Sequence, residues 1–167
     1  MIKEDYLIKI YKMKSCFLLL LIIFSTEIFS QDNNMKTIIS TSKAPQPVGP
    51  YNQAVLKDGS LFISGQIAIE LDTKMLYSGD IENETEIVMK NIGNILNEAG
   101  FTFEDVVKST IFTNDMGKFA EINKVYGSFF NNLTAPARET IEVSGLPLGA
   151  NVEISVIAIK WFKELFF

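Results

Sequence analysis

The feature that most constrains this chain is a change in the period of its apolar residues. Between Glu82 and Ala99, residues Val88, Ile92, Ile95, Leu96 and Ala99 recur at three- and four-residue spacing until Gly100 supplies a stop. The runs on either side, Leu61 to Gly65 (LFISG) and Val106 to Thr113 (VVKSTIFT), are short and rich in β-branched and aromatic residues. The first pattern predicts an amphipathic helix and the second predicts strands. A helix with one apolar stripe, lying between strands, has to bury that stripe against a sheet, so all-α and all-β architectures are excluded.

The remaining segments extend this reading. Lys36 to Thr41 (KTIIST) and Ala54 to Lys57 (AVLK) read as strands flanking the Pro-rich segment Lys43 to Tyr51 (KAPQPVGPY), and Asp58-Gly59 is a hairpin signal leading into Leu61. Asn114 or Asp115 caps a second helix running to Phe130, with Phe119, Ile122, Tyr126, Phe129 and Phe130 on one stripe, read as core packing and not as a ligand box. Two strands close the domain, Arg138 to Val143 and Val152 to Lys160, joined by the loop Ser144 to Asn151. The order is βββαβαββ, an α/β (α+β) fold with a mixed sheet and both helices on one face. Val152 to Lys160 is apolar at odd and even positions alike, so the open sheet face needs a partner, and oligomerisation through it is expected.

A length of 167 residues fits one domain plus a processing segment, and 47% apolar with 21% charged residues is a globular balance. The absence of His excludes Ser-His-Asp and Cys-His catalysis and His-ligated metals. Beyond residue 34 there are eleven basic residues against sixteen acids and no basic run, which argues against nucleic-acid binding.

At the N-terminus, Lys12 and Lys14 precede the charge-free stretch Ser15 to Thr26, whose apolar heart is Cys16 to Phe24. A bilayer-spanning helix needs roughly 20 apolar residues, so this run is too short for a stable membrane anchor. Its layout is that of a signal peptide over residues 1–30, with Ser30 before Gln31 as the cleavage point; the chain is then exported or periplasmic. Translation from Met35 is the alternative and gives a cytosolic protein. Cys16 is the only cysteine, so cleavage leaves no thiol and no disulfide.

Two residues stand out chemically. Arg138 is the only arginine, directly after Pro136-Ala137 at the mouth of a strand. A planar five-donor guanidinium there either holds a carboxylate through two parallel hydrogen bonds or caps a strand end at the surface. Strand alternation puts Arg138, Thr140 and Glu142 on one face and Glu139, Ile141 and Val143 on the other. The apolar pair is expected to meet the helices, leaving Arg138 and Thr140 on the open face. Glu153 leads the apolar run of the last strand, and is either a strand-edge solubility device or a buried acid with a raised pKa.

The string from Pro136 to Pro147 (PARETIEVSGLP), followed by Val152-Glu153-Ile154, resembles the signature of the RidA (YjgF-type) reactive intermediate deaminases. So do Ala44 to Tyr51 (APQPVGPY), Ile63 to Ile67 (ISGQI) and the helix Phe119 to Phe130, in the family's order, over residues 36 to 160. The resemblance implies chorismate-mutase-like subunits in a barrel-like homotrimer with three clefts between subunits. It implies hydrolysis of 2-imino acids or enamines, such as 2-iminobutanoate and 2-iminopropanoate, to 2-keto acids and ammonia, with no metal or organic cofactor. By the same resemblance Arg138 binds the substrate carboxylate, Glu153 positions water, and Tyr51, Ser64, Gly65, Asn123 and Thr140 line the cleft. Thr140 stands where many members have Cys, Glu139 where a small residue is usual, and the tail 161–167 (WFKELFF) runs past the usual end. Alternation points Glu139 away from Arg138. A non-catalytic carboxylate-binding or holdase role is the alternative on the same fold, with a mutase-like activity suggested by fold analogy alone.

Mass spectrometry of the N-terminus in the native cell is expected to find a mature chain beginning near Gln31; one beginning at Met35 would refute export.

Overall fold

The structure, a computed structural model, describes residues 36–160. The segment read as a signal peptide and the tail 161–167 lie outside the described residues. Six strands, β1 (Thr37–Ile39), β2 (Ala54–Lys57), β3 (Ser60–Gln66), β4 (Val106–Thr113), β5 (Ala137–Glu142) and β6 (Val152–Ile159), form one sheet in the order β1-β2-β3-β6-β4-β5. Two helices, α1 (Ile81–Glu98) and α2 (Phe119–Gly127), complete a mixed α+β fold in the order read from the sequence. Among the described residues no helix is long and apolar enough to cross a membrane.

Local chemistry explains the boundaries. β2 and β3 are joined by Asp58 and Gly59, both at positive φ (49° and 74°), the geometry whose twist matches a two-residue hairpin. Asp80 starts α1 by accepting from the Asn83 N–H at 2.9 Å. The second helix is shorter than expected: Asp115 caps only a 3₁₀ turn, Met116–Lys118, and α2 proper ends at Gly127, so Phe129 and Phe130 lie beyond it. Those two rings still pack on the core, against Phe103 at 5.3 and 5.4 Å.

β6 is inserted between β3 and β4, antiparallel to both, while β4 and β5 run parallel with α2 as their crossover. Val152, Ile154, Val156 and Ala158 of β6 are buried under α1 with Leu61, Ile63, Ile111, Ile92, Ile95 and Leu96. Each Val, Leu or Ile among them contributes about 1.5–3 kcal/mol on burial. The other face is apolar and open: Ile38, Phe62, Ile141 and Ile159 are each 38–47% exposed.

The segment from Thr41 to Tyr51 has no regular structure and is organised by one buried amide. Gln53 Oε1 accepts from the Thr41 N–H at 2.6 Å, and its Nε2 donates to the carbonyls of Thr41 (3.0 Å), Ala44 (3.1 Å) and Pro45 (2.8 Å). Replacing Gln53 by Ala removes these partners from a buried turn. The expected loss is about 1–3 kcal/mol in urea unfolding, with the Thr41 amide losing hydrogen-exchange protection first.

Candidate functional site

On the central strand β6, alternation sends Glu153 to the open face, opposite Phe112 of β4. On its other side β3 carries a bulge: the pairing jumps from Ile63↔Val156 to Gln66↔Ile154, leaving Ser64 and Gly65 against the single residue Ser155. The Glu153 carboxylate fills the space this creates. A Cβ at Gly65 would lie 1.8 Å from Glu153 Oε1, so only glycine admits the acid there. Ser64 is tied down by its hydroxyl, which donates to the Asn52 carbonyl at 2.7 Å, and by its N–H on the Gln53 carbonyl at 3.0 Å.

Glu153, Ser64, Gly65 and Tyr51 line one cavity of about 470 Å³, with Pro45, Val48, Pro147 and Leu148 as its apolar walls. Partial burial raises the Glu153 pKa above the ordinary carboxylate value. Leu148, at φ 57° and 73% exposed, is presented at the rim in a conformation that a branched side chain rarely adopts. Of the two readings of Glu153, the structure gives the partly buried acid on a central strand.

Arg138 sits elsewhere. β5 is an edge strand, in parallel register with β4 so that Arg138 pairs with Ser109 and Thr140 with Ile111. Ser109 and Ile111 are buried toward the helices, and in-register neighbours share a face. Arg138 and Thr140 therefore face α2, and Ile141, beside Phe112, faces the open side, the reverse of the expectation from polarity. The expectation failed because the open face is itself apolar, so an exposed Ile141 looked like a core residue. Val143 lies just past the strand, its N–H on the Thr113 carbonyl at 2.9 Å.

The guanidinium is held firmly. Its Nη1 donates to Asn123 Oδ1 at 2.7 Å, and it lies over the rings of Tyr126 and Phe119, 5.1 and 5.6 Å from their centroids. Tyr126 in turn donates its hydroxyl to Ser109 Oγ at 2.9 Å; burial raises its pKa, against the opposing effects of that bond and of Arg138. No carboxylate among the described residues pairs with Arg138. Glu139 does point away, accepting from Lys108 Nζ and from Thr110 Oγ1 at 2.8 Å. Thr140 Oγ1 is buried without a hydrogen-bond partner.

The chain thus brings together Tyr51, Ser64, Gly65 and Glu153 on one side of the sheet, and Arg138, Asn123 and Thr140 on the other, near the β5 edge. Phe119 and Tyr126 do more than pack in the core as the stripe predicts, and a helical aromatic stripe gives no sign that two of its members flank a cation. Among the described residues no cluster of three or more His, Cys, Asp or Glu side chains is arranged to hold a metal ion.

Two measurements check the Glu153 geometry. In Gly65→Ala the added methyl must expel the carboxylate toward water, so the midpoint of a carboxyl NMR titration should fall toward the ordinary range. A folded-state pKa above the unfolded one gives stability that is full below the unfolded pKa and lost as pH rises through the folded pKa. Glu153→Gln should therefore be more stable than the parent at about pH 7, the gap closing as acid protonates Glu153, as urea unfolding at several pH values will show.

Residues 41–160 match the family model described as Endoribonuclease L-PSP. A RutC family protein from Synechocystis is 46% identical over 123 residues, 73% of this chain and 95% of that protein. The 2-iminobutanoate/2-iminopropanoate deaminase of Mus musculus is 40% identical over 126 residues, covering 75% of this chain and 93% of the mouse protein. Among solved structures, YyfA from Yersinia pestis, of the Rid protein family, superposes with a TM-score of 0.73 at 45% identity, over 75% of this chain and all of that one. With both the sequence of the domain and the path of its sheet shared, the chain belongs to the Endoribonuclease L-PSP family, the YjgF/RidA/RutC proteins.

Proposed function

We propose that the protein hydrolyses reactive 2-imino acids and their enamine tautomers, such as 2-iminobutanoate and 2-iminopropanoate, to 2-keto acids and ammonia, in clefts between the subunits of a homotrimer. The observation that carries this reading is the lone arginine, fixed by two rings and an amide yet unpaired with any described carboxylate, in a domain whose partly buried acid lies on the opposite sheet face. Neither half is a complete site. Packing of the apolar open face of one copy against another brings Glu153 of one subunit toward Arg138 of its neighbour. The activity named for the mouse relative supports the reaction class.

The chemistry uses what the chain contains. Arg138 grips the α-carboxylate with two donors and holds the iminium carbon in place. Glu153 as carboxylate accepts a proton from water as the water oxygen bonds to C2, giving a tetrahedral carbinolamine. The raised pKa makes the protonated acid a ready donor: it returns the proton to the amine nitrogen, and the regenerated carboxylate takes the C2 hydroxyl proton as the C–N bond breaks, so that the C2 carbonyl forms and ammonia leaves carrying that proton from Glu153. The iminium is its own electrophile, so no His, thiol or metal is required. The apolar walls formed by Val48, Pro147 and Leu148 suit the substrate side chain.

The test is ammonia release from imines generated in place by an amino-acid oxidase. Arg138→Ala should lose about a hundredfold or more in kcat/KM with assembly intact, and Glu153→Gln should bind substrate but turn it over slowly. Mixing the two variants and allowing subunits to exchange should restore about a quarter of the activity, because some clefts then draw both intact residues from different subunits. Binding of imino acids without turnover by the unmodified protein would instead assign the carboxylate-binding role.

A further inference from the structure

Among the described residues there is one buried carboxylate that the proposed chemistry does not use. Glu84, in the first turn of α1, is fully buried and forms no ion pair among the described residues. Its oxygens are satisfied by N–H donors from another part of the chain. Oε1 accepts from the backbone N–H of Asn151 at 2.8 Å and, more weakly, of Val152 at 3.4 Å; Oε2 accepts from Asn151 Nδ2 at 2.8 Å. A carboxylate is stable in such a place because charge-assisted bonds to N–H groups and the positive end of its own helix replace water.

The donors are Asn151, the residue before β6, and Val152, its first residue, immediately ahead of Glu153. Asn151 is pinned from its other side as well. Its carbonyl accepts from Thr113 Oγ1 at 2.9 Å and from the Asn114 N–H at 3.2 Å, and its Oδ1 accepts from Asn114 Nδ2 at 3.1 Å. Asn151 therefore joins α1 to the end of β4, and the register that sets Thr113 against Val152 sets Phe112 against Glu153. The space for the Glu153 carboxylate is one missing Cβ wide at Gly65, so an error of an ångström at the start of β6 is felt there.

We infer that Glu84 is a positioning residue: through Asn151 and Val152 it fixes the entry of β6 and so aims the Glu153 carboxylate into its seat over Gly65. The role of that carboxylate in turnover rests on the deaminase reading; its aim does not. The geometry asks for an acceptor of the right length at this position and not for charge as such. Glu84→Gln retains an oxygen for the two backbone N–H groups, and its amide can donate to Asn151 Oδ1 once the Asn151 and Asn114 side-chain amides turn over together, so that Asn151 Nδ2 then donates to Asn114 Oδ1. Glu84→Asp keeps the charge but falls one methylene short.

The experiment reads Glu153 directly. Carboxyl-labelled protein is titrated by NMR, with the Glu153 resonance assigned through Glu153→Gln; the other ionisable side chain lining the cavity is Tyr51, whose phenol is assigned separately. In Glu84→Asp the Glu153 midpoint should move down toward the ordinary carboxylate range as the acid slips into water. On imine substrates kcat should fall about tenfold to a hundredfold while KM, set by Arg138, changes by less than about twofold. Glu84→Gln should restore both. A folded Glu84→Asp in which Glu153 titrates as in the parent would overturn the inference. Should that variant fail to fold, Asn151→Ala, which removes the side-chain bonds to Oε2 and Asn114, must move the midpoint in the same direction, and no movement overturns it equally. Absence of ammonia release from the parent protein would sink the deaminase reading and leave the titration result standing.

Discussion

The rest of the domain depends on the two antiparallel ladders that flank β6. They fix one strand between β3 and β4, and that strand supplies core residues to one face and Glu153 to the other. Because side chains alternate strictly, a slip of a single residue would bury Glu153 under α1 and expose Val152 and Ile154. The ladder is also interrupted beside Glu153: the Ser64–Gly65 bulge breaks the pairing with β6 and leaves room for a carboxylate that a regular strand would exclude. Stability and site are therefore set by the same hydrogen bonds.

Most of the secondary structure was legible because its signals are local. The stripe ending at Gly100, the Asp58-Gly59 turn and the β-branched run Val106 to Thr113 each carry their own physics, and each is found. The second helix was overextended because the aromatic period continues through Phe129 and Phe130, whereas the backbone turns out of the helix after Gly127. Apolar period alone cannot separate a helical stripe from a loop that packs on the same core.

The site was legible in its parts and not in its arrangement. Arg138 was conspicuous as a lone arginine and Glu153 as an acid opening an apolar strand, but which face each occupies follows from strand order, and that is a long-range property. Parallel pairing of β5 with β4 ties Arg138 to the face of Ser109, and nothing local to residues 138–143 reports this. Polarity misled for a definite reason: a sheet with helices on one face and apolar residues on the other offers no polar side by which to orient an edge strand. Gln53 and Glu84 were invisible for a related reason, since their partners lie 12 and 67 residues away in the chain.

The clamp on Arg138 has a consequence for how recognition is divided between folding and binding. A free arginine side chain carries about 2 kcal/mol of rotamer entropy, which is lost when it grips a ligand. Set against Tyr126 and Phe119 and tied to Asn123, Arg138 gives up part of that freedom on folding, ahead of the carboxylate that the proposed deaminase reading assigns to it. The ordering cost is thereby charged to the fold and not to affinity. The two rings also cover part of the guanidinium, so on the proposed reading the same contacts that stiffen the side chain would select an anion by shape as well as by charge.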